Sequence, residues 1–409
     1  MALTLRRTLA AASAAAVALL AAAVFSLARE TAGAGCAEQA ALPPSFVSRN
    51  ISDIFDAPAA PTFQLQHTSG KALLGGAPKS LLLIEKSGYA FAHEAPVWCA
   101  DSDDVYFASN AGAPLGRSNL TTNNVVFKVN LRNLTERAAA GIASFASDVH
   151  AVPIDSDSVQ MTNGGTSYAG ELLLINTGRG SLPGSIALVP RATPQQPQVL
   201  LNNFRGRGFK SLNDVVVHPD GRILFTDADY GVLQDFKDET GMWKAVWSFD
   251  PLSGDLAVLD ASLTTPNGLT LSPDAKTLYV TETGFARGFY PSDPSVAPLI
   301  YAFDLAASAR HATNRRVFAV AESGISDGLK VDTEGNVYSC DGAGLQVYSP
   351  SGTQLWRFVL PPIGCTQVVL ASGGRIVLLA EERLYLLQVA AAEPVPLAEL
   401  PRHNRIARS

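Results

Sequence analysis

Short apolar runs of strand length recur along the chain from about residue 81, and turn-forming residues separate them. In the clearest copy, NDVVVHPDGRILFTDADYG from Asn213, the sequence Pro-Asp-Gly joins two β-forming runs at 215–217 and 223–226. The runs are short for helices, and no long amphipathic helical pattern lies between them. The pattern therefore predicts an all-β domain rather than alternating strands and helices.

The same order of polar residue, apolar strand, turn, second strand and small residue repeats six times, twice in weaker form. The copies begin at Glu94, Asn163, Asn213, Asn267, Asp327 and Cys365. Their spacing is typical of four-stranded propeller blades, which need about 40 to 50 residues, with insertions. We therefore expect a six-bladed β-propeller over residues 81–395 and a C-terminal tail at 396–409. An N-terminal extension at 36–80 is expected to add a strand to the last blade.

The polar residue that starts each copy is the first candidate for chemistry. The innermost strand of each blade lines the central channel, so these residues should meet at one end of it. The expected ring is Glu94, Asn163, Asn213, Asn267 and Asp327, with Thr366 near the sixth place. Two carboxylates and several amide oxygens at one point need a counter-charge. We expect one divalent cation, most simply Ca²⁺, and Mg²⁺, Mn²⁺ and Zn²⁺ are the alternatives. Among these alternatives, the lack of His or Cys in the ring argues against Zn²⁺.

Other polar residues near these positions have simpler interpretations, because Asn and Asp often cap turns. Asp214 is expected to turn away from the channel and bind nearby backbone. His93 adjoins Glu94 and could reach the pocket, although alternation along a strand favours the other face. His218 is expected to be exposed in a turn. Four strand-end residues are interpreted as turn-forming: Asp227, Asp229, Tyr230 and Glu282.

The quoted repeats also carry a resemblance. EAPVW, SLNDVVVHPDGRILFTDADYG, PNGLTLSPDAKTLYVTETG and SDGLKVDTEGNVYS together resemble the SMP-30/gluconolactonase family, particularly its fungal secreted members, over residues 85–390. The resemblance implies a six-bladed propeller that hydrolyses lactones with one divalent metal in its channel. It implies metal binding by Glu94, Asn267 and Asp327, a role for Asp327 as general base, and contact of Asn213 with metal or substrate.

The expected reaction is therefore hydrolysis of a cyclic ester. The metal would polarise the lactone carbonyl, and Asp327 or Glu94 would take a proton from the attacking water. The expected metal ligands are Glu94, Asn213, Asn267 and Asp327, and Asn163 and Asn213 are the expected substrate contacts. Sugar-lactonase members often carry Arg two residues before the Asn-Asp pair, where this chain has Ser211. That difference argues against a sugar lactone as substrate.

Several other functions remain as alternatives. A strictosidine-synthase-like propeller would work without metal, and a phosphotriesterase-like activity would use the same metal. A non-catalytic propeller that serves as a binding scaffold is a third alternative. The chain has no G-x-S-x-G motif, which argues against a serine hydrolase, and no nucleotide-binding motif in a suitable context.

Composition and the N-terminus restrict the partners and the compartment. The 409 residues carry a net charge of −6 and no basic run, so nucleic acid is not an expected partner. Arg6 and Arg7 precede an apolar run at 9–28 and small residues at 32–34. We therefore expect a signal peptide at 1–35 and secretion, with a type II signal anchor as the alternative. The expected partner is a small lactone. No stable membrane partner is expected if the leader is cleaved. The sequence does not indicate the oligomeric state.

Sequons and cysteines are consistent with a secreted chain. The candidate glycosylation sites are Asn50, Asn119 and Asn133. The four cysteines are Cys36, Cys99, Cys340 and Cys365. They allow up to two disulfides in three connectivities, among which the sequence does not choose. We interpret these cysteines as structural.

Overall fold

Six antiparallel sheets follow one another along the chain in a computed structural model that describes residues 60–140, 146–155 and 157–396. The predicted leader at 1–35 and Asn50 lie outside the described residues. The first strand of each sheet contacts the first strand of the next, and the last sheet returns to the first. This closed ring is a six-bladed β-propeller, which confirms the predicted fold class.

The strands are numbered in chain order, and two of them precede the blades. These are β1 (Thr62–Leu65) and β2 (Lys79–Glu85). Blade 1 contains β3 (Glu94–Cys99), β4 (Asp104–Ala108), β5 (Val126–Asn130) and β6 (His150–Ala151). Blade 2 contains β7 (Thr162–Tyr168), β8 (Glu171–Asn176), β9 (Ser185–Val189) and β10 (Gln198–Leu201). A small hairpin follows, formed by β11 (Asn203–Phe204) and β12 (Arg207–Gly208).

The second half of the ring repeats the same order. Blade 3 contains β13 (Leu212–Val217), β14 (Ile223–Asp227), β15 (Ala245–Phe249) and β16 (Leu256–Asp260). Blade 4 contains β17 (Pro266–Leu271), β18 (Thr277–Glu282), β19 (Leu299–Leu305) and β20 (Ala312–Val320). Blade 5 contains β21 (Leu329–Val331), β22 (Val337–Asp341), β23 (Gly344–Tyr348) and β24 (Gln354–Val359). Blade 6 contains β25 (Gln367–Ala371), β26 (Arg375–Ala380) and β27 (Arg383–Gln388).

Helices are few and short in the described part of the chain. They are α1 (Lys71–Leu74), α2 (Leu131–Ala139) and α3 (Tyr230–Leu233), with 3₁₀ turns at Thr68–Gly70, Pro114–Gly116 and Ala146–Asp148. The Asn130 side chain caps α2 by accepting a hydrogen bond from the Asn133 backbone N–H. Among the described residues, no helix has both the length and the apolar character that a membrane span needs.

The core lies between neighbouring blades, because each blade buries both of its faces against the next. The second strands show this directly, since every residue of β14 and of β22 is buried. Between blades 2 and 3, Phe209, Phe225 and Trp247 pack together, with ring centroids 5.5 to 6.3 Å apart. Burial of each such side chain contributes about 1.5 to 3 kcal/mol, which explains the continuous apolar runs of these strands.

The N-terminal extension closes the ring. Strand β2 pairs antiparallel with β27, from Lys79 opposite Gln388 to Glu85 opposite Arg383, and thereby becomes the outer strand of blade 6. A closing strand was expected from residues 36–80, and β2 lies mostly beyond that boundary, at Lys79–Glu85. Strand β1 pairs with β24 and gives blade 5 a fifth strand, which the sequence pattern did not indicate.

One disulfide joins the last two blades. Cys340 on β22 bonds to Cys365, which lies just before β25. Cys99 is a buried free thiol, and Cys36 lies outside the described residues. The sequons at Asn119 and Asn133 are exposed. Their glycosylation stays a prediction.

Candidate active site

A β-bulge at the start of the inner strand re-aims the polar side chain in several blades. In blade 3, the paired residues Leu212–Asp227 and Val215–Phe225 leave two inner-strand residues, at 213–214, opposite the single residue Thr226. Blade 4 repeats the arrangement, with residues 267–268 opposite a single residue of β18. The ring at the start of the inner strands is therefore built into the backbone.

Glycine follows the polar residue where neighbouring inner strands approach most closely. A Cβ on Gly268 would lie 2.3 Å from the backbone oxygen of Asp327. A Cβ on Gly328 would lie 1.8 Å from Oε1 of Gln367. At Gly268 the obstacle is backbone, so the Asn-Gly pair reflects strand packing, whereas at Gly328 a side chain would have to displace the end of Gln367.

Three acceptor atoms of the predicted ring have no hydrogen-bond partner among the described residues. They are Oδ1 of Asn213, Oδ1 of Asn267 and Oδ1 of Asp327, and all three atoms are buried. Each unsatisfied buried acceptor costs about 1 to 3 kcal/mol. Amide and carboxylate oxygens left without a donor match the ligands that a hard divalent cation takes, so these residues fit the expected metal.

Glu94 is the second carboxylate of the ring. Its Oε2 accepts a hydrogen bond from Nε2 of Gln367 at 3.2 Å, and its Oε1 lies 3.3 Å from Nε2 of His93. One ligand atom from each of His93, Glu94 and Asp327 lies within 4.8 Å of the other two. These three residues therefore meet at one point in the channel.

Charge is incompletely balanced at this point. Burial raises the pKa of the Glu94 carboxyl, and the charges of Asp327 and Asp214 add to the rise, against the opposing effect of His93. Burial also raises the pKa of Asp327, although the charge of His93 and a hydrogen bond from Asn267 lower it in part. Without a cation the site holds protons more tightly than ordinary carboxyls do.

His93 was expected to face away from the channel, and that expectation is wrong. Strand β3 begins at Glu94, so His93 precedes it and the alternation rule does not apply. Nδ1 of His93 lies 2.8 Å from Oε1 of Glu381, whose two oxygens accept hydrogen bonds from Nδ2 of Asn110 at 3.3 and 3.2 Å. A histidine therefore borders the ring, which removes the reason for setting Zn²⁺ aside.

The two remaining ring positions act on the neighbouring backbone. Asn163 lies at the bulge of blade 2, and its Nδ2 donates to the backbone oxygen of Asn213 at 3.2 Å. Its role in substrate binding stays a prediction. Oγ1 of Thr366 donates to the backbone oxygen of His93 at 2.8 Å, and the next residue, Gln367, is the one that contacts Glu94. The sixth polar place therefore belongs to Gln367, one residue later than predicted.

Threonine hydroxyl groups on the second strand of blades 3 and 4 form hydrogen bonds to the backbone of the predicted metal ligands in the next blade. Oγ1 of Thr226 accepts from the Asp214 N–H at 3.0 Å and donates to the Asn267 backbone oxygen at 2.7 Å. Oγ1 of Thr281 donates to the Asp327 backbone oxygen at 3.3 Å. These threonines were not predicted as part of the site, although each occupies the same place in its repeat, in LFTDAD and LYVTETG.

Asp214 is structural, as predicted. Its Oδ1 accepts from the Val215 N–H at 2.8 Å, and its Oδ2 accepts from the Leu269 N–H in the next blade at 3.2 Å. The carboxylate thus bridges two inner strands below the ring.

The acidic residues that end the second strand of blades 3 and 4 were interpreted as turn-forming, and they bind the backbone of a preceding loop. Asp227 accepts from the N–H groups of Ser211 and Lys210 at 2.6 and 3.0 Å. Glu282 accepts from the N–H groups of Thr264 and Thr265 at 2.6 and 2.9 Å. Each carboxylate fixes the loop that leads into an inner strand of the ring.

Two neighbouring assignments need correction. The Tyr230 hydroxyl donates to Oγ1 of Thr283 at 2.8 Å, and burial, the charge of Asp327 and a hydrogen bond with Asn267 all act on its pKa, which is raised overall. Tyr230 is therefore part of the site and not only a turn residue. His218 is 6% exposed rather than exposed in a turn, because its ring is buried beside Asp220, with Nδ1 2.8 Å from Oδ1.

The two ends of the channel differ. A cavity of about 830 Å³ lies at the end opposite the ring, lined by inner-strand residues such as 215–219 and by the C-terminal segment 394–396. Two kinds of loop lie at the ring end: those that join the second strand of a blade to its third strand, and those that join one blade to the next. These loops carry exposed large apolar side chains: Leu115, Leu120, Leu182, Phe289, Tyr290 and Ile363. We call these six residues the apolar rim.

A six-bladed propeller with a buried ring of carboxylates and amides at one end of its channel defines the class of protein. The model of the SMP-30/gluconolactonase/LRE-like region matches residues 92–379, more than half of the chain, so the chain belongs to this family. The family predicted from the repeats is thereby confirmed.

Individual relatives agree with this assignment. A lactonohydrolase of Aspergillus oryzae is 29% identical over 329 residues, which cover 74% of this chain and 70% of that protein. A gluconolactonase of Zymomonas mobilis is 29% identical, over 39% of this chain and 44% of its own length. A solved gluconolactonase of Xanthomonas campestris superposes with a TM-score of 0.61 at 23% identity, over 81% of this chain and 97% of its own, and shows the same fold. The names of the sequence relatives bear out the prediction of a lactonase-type enzyme.

Proposed function

We propose that this protein is a metal-dependent lactonase that opens a cyclic ester at the ring end of its channel. One observation carries the proposal: three buried acceptor oxygens, on Asn213, Asn267 and Asp327, have no donor among the described residues. The lactonohydrolase and gluconolactonase names of the relatives support a lactone as the substrate.

The proposed ligands are Glu94, Asn213, Asn267 and Asp327. When bound, a divalent cation would polarise the lactone carbonyl and stabilise the negative charge that develops on its oxygen. Asp327 takes the proton from the attacking water, because its pKa lies above that of an ordinary carboxyl and a base works best near the operating pH. Gln367 holds the Glu94 carboxylate in place by donating from its Nε2 to Oε2 at 3.2 Å.

The substrate class follows from what surrounds the ring. Ser211 occupies the place where sugar lactonases often carry Arg, and its Oγ accepts from the Gly231 N–H at 2.8 Å. A Cβ on Gly231 would lie 2.8 Å from Thr177 and 3.1 Å from Oγ of Ser211, so α3 packs closely over this place. Position 211 itself offers no guanidinium to bind sugar hydroxyls, and the apolar rim lies on the loops at the same end of the channel. We therefore infer a lactone with an apolar substituent rather than an aldonolactone.

The test is a hydrolysis assay on paired lactones, aldonolactones against alkyl-substituted γ- and δ-lactones, with wild type and Asp327→Asn. We expect turnover of the alkyl lactones, its loss on chelation and its loss in Asp327→Asn at unchanged thermal stability. Asp274→Asn is the matched control, since Asp274 is exposed in a turn at the opposite end. Full activity after chelation would refute metal dependence and favour a metal-free propeller enzyme, and a preference for aldonolactones would refute the substrate class.

We also propose that the chain enters the secretory pathway, as its leader and sequons predicted. The Cys340–Cys365 disulfide supports an oxidising compartment, and Asn119 and Asn133 are exposed for modification. The expected result is secretion with a mobility shift on endoglycosidase treatment that Asn119→Gln and Asn133→Gln reduce. Retention of unmodified protein in the cytosol would contradict it.

A further inference from the structure

The imidazole of His93 is held in a manner that the proposed ligand set does not explain. Its Nδ1 lies 2.8 Å from Oε1 of Glu381, and its Nε2 is left pointing to the ring, 3.3 Å from Oε1 of Glu94. Histidines that bind metals commonly donate the N–H of their other ring nitrogen to a carboxylate, which fixes the tautomer and the ring orientation. The Glu381–His93 pair has this arrangement.

The surrounding contacts hold both members of the pair. Nδ2 of Asn110 donates to both oxygens of Glu381, which keeps that carboxylate facing the imidazole. The backbone of His93 is fixed on both sides, by its N–H donating to the Ala108 oxygen at 3.0 Å and by its oxygen accepting from Thr366. The His93 side chain is 16% exposed, so the ring has little room to turn away from the channel.

The distances suit a shared ligand position. The donor atoms of His93, Glu94 and Asp327 lie within 4.8 Å of one another. Ligands that lie about 2.0 to 2.2 Å from one small cation are at most roughly 4.4 Å apart, so a small adjustment brings all three to bond distance.

We propose that His93 Nε2 is a nitrogen ligand of the channel cation, positioned by Glu381. This inference rests on the proposed metal site, and it adds a prediction of which cation the site prefers. A site of carboxylate and amide oxygens alone suits Ca²⁺, whereas an imidazole nitrogen shifts preference toward Zn²⁺. This chain would therefore prefer Zn²⁺ to Ca²⁺.

The experiment measures nitrogen coordination directly, on the whole secreted chain stripped with chelator and loaded with Mn²⁺. Electron spin echo modulation should show a directly bound imidazole nitrogen in wild type and in His311→Gln, whose histidine is exposed at the opposite end. The signal should be lost in His93→Gln. Titration calorimetry should show Zn²⁺ affinity falling about 10- to 100-fold in Glu381→Gln and further in His93→Gln, with Ca²⁺ affinity changed less than about 3-fold.

The outcomes separate the two proposals. Mn²⁺ bound without an imidazole signal, or a Zn²⁺ affinity that survives His93→Gln, overturns the ligand role of His93 and leaves the metal-dependent lactonase standing. Failure of wild type to bind Zn²⁺, Mn²⁺ or Ca²⁺ overturns both. An imidazole signal that is present in wild type and in His311→Gln, and is lost only in His93→Gln, supports both the metal site and its nitrogen ligand.

Discussion

Replacing Thr226 with valine tests whether one hydroxyl links two metal-ligand positions. Valine keeps the shape and the β-branched stem of threonine but removes one accepted bond, from the Asp214 N–H at 3.0 Å, and one donated bond, to the Asn267 oxygen at 2.7 Å. Both partners are buried, so we expect a loss of about 2 to 4 kcal/mol in the free energy of unfolding. For a propeller of roughly 330 described residues, with an unfolding entropy near 0.7 kcal/mol/K, the midpoint should fall by about 3 to 6 °C.

The same variant should bind metal less tightly, because the backbone that carries Asn267 and the bulge that carries Asn213 both lose their anchor. We expect about a 10-fold loss of affinity by calorimetry. Thr281→Val is the matched control, since the Thr281 hydroxyl makes only long bonds, of 3.3 and 3.4 Å. Its loss of stability should stay below about 1 kcal/mol. Equal effects of the two variants would refute the reasoning, because they would show a general cost of Thr→Val in second strands.

Three further predictions follow from the packing, the charges and the disulfide. Gly268→Ala should abolish metal binding, since its Cβ would lie 2.3 Å from the Asp327 backbone oxygen; a full metal content by mass spectrometry would contradict this. Metal affinity should rise with pH, because burial raises the pKa of Glu94 and the cation must displace its proton. For the same reason the metal-free protein should become less stable as the pH rises above the pKa of an ordinary carboxyl. In that range the folded state binds more protons than the unfolded state, so the free energy of unfolding falls with pH. Both effects should become weaker in Glu94→Gln, where the buried carboxyl of Asp327 still has a raised pKa, and a pH-independent affinity of the wild type would contradict them. Replacing Cys340 and Cys365 by serine opens a link across 25 residues and should cost about 3 kcal/mol, measured as a lower thermal midpoint and contradicted by an unchanged one.

The fold was predictable because each blade repeats one local pattern. The six inner strands begin within a few residues of the repeat starts, and alternating apolar runs and turns reveal antiparallel strands without long-range information. The fifth strand of blade 5 was not predictable. Strand β1 pairs with a segment about 290 residues later, and nothing in its four residues indicates that partner.

The site was predictable where its residues share one phase of the repeat, as Asn213, Asn267 and Asp327 do. His93 was missed because local alternation was applied to a residue that precedes its strand. Gln367 was missed because blade 6 places its polar side chain one residue later than the pattern predicts. Both depend on where an inner strand starts pairing, which the sequence defines only to within a residue or two.

Ring closure has a consequence for synthesis of the chain. Glu85 on β2 and Arg383 on β27 are 298 residues apart, so the closing strand emerges long before its partner exists. At translation rates of about 5 to 20 residues per second, β2 waits roughly 15 to 60 s with its edge unpaired. An unpaired strand edge is a template for association with other chains. The nascent protein should therefore depend on chaperones most strongly before blade 6 is translated, and truncation before β27 should produce aggregates rather than a five-bladed ring.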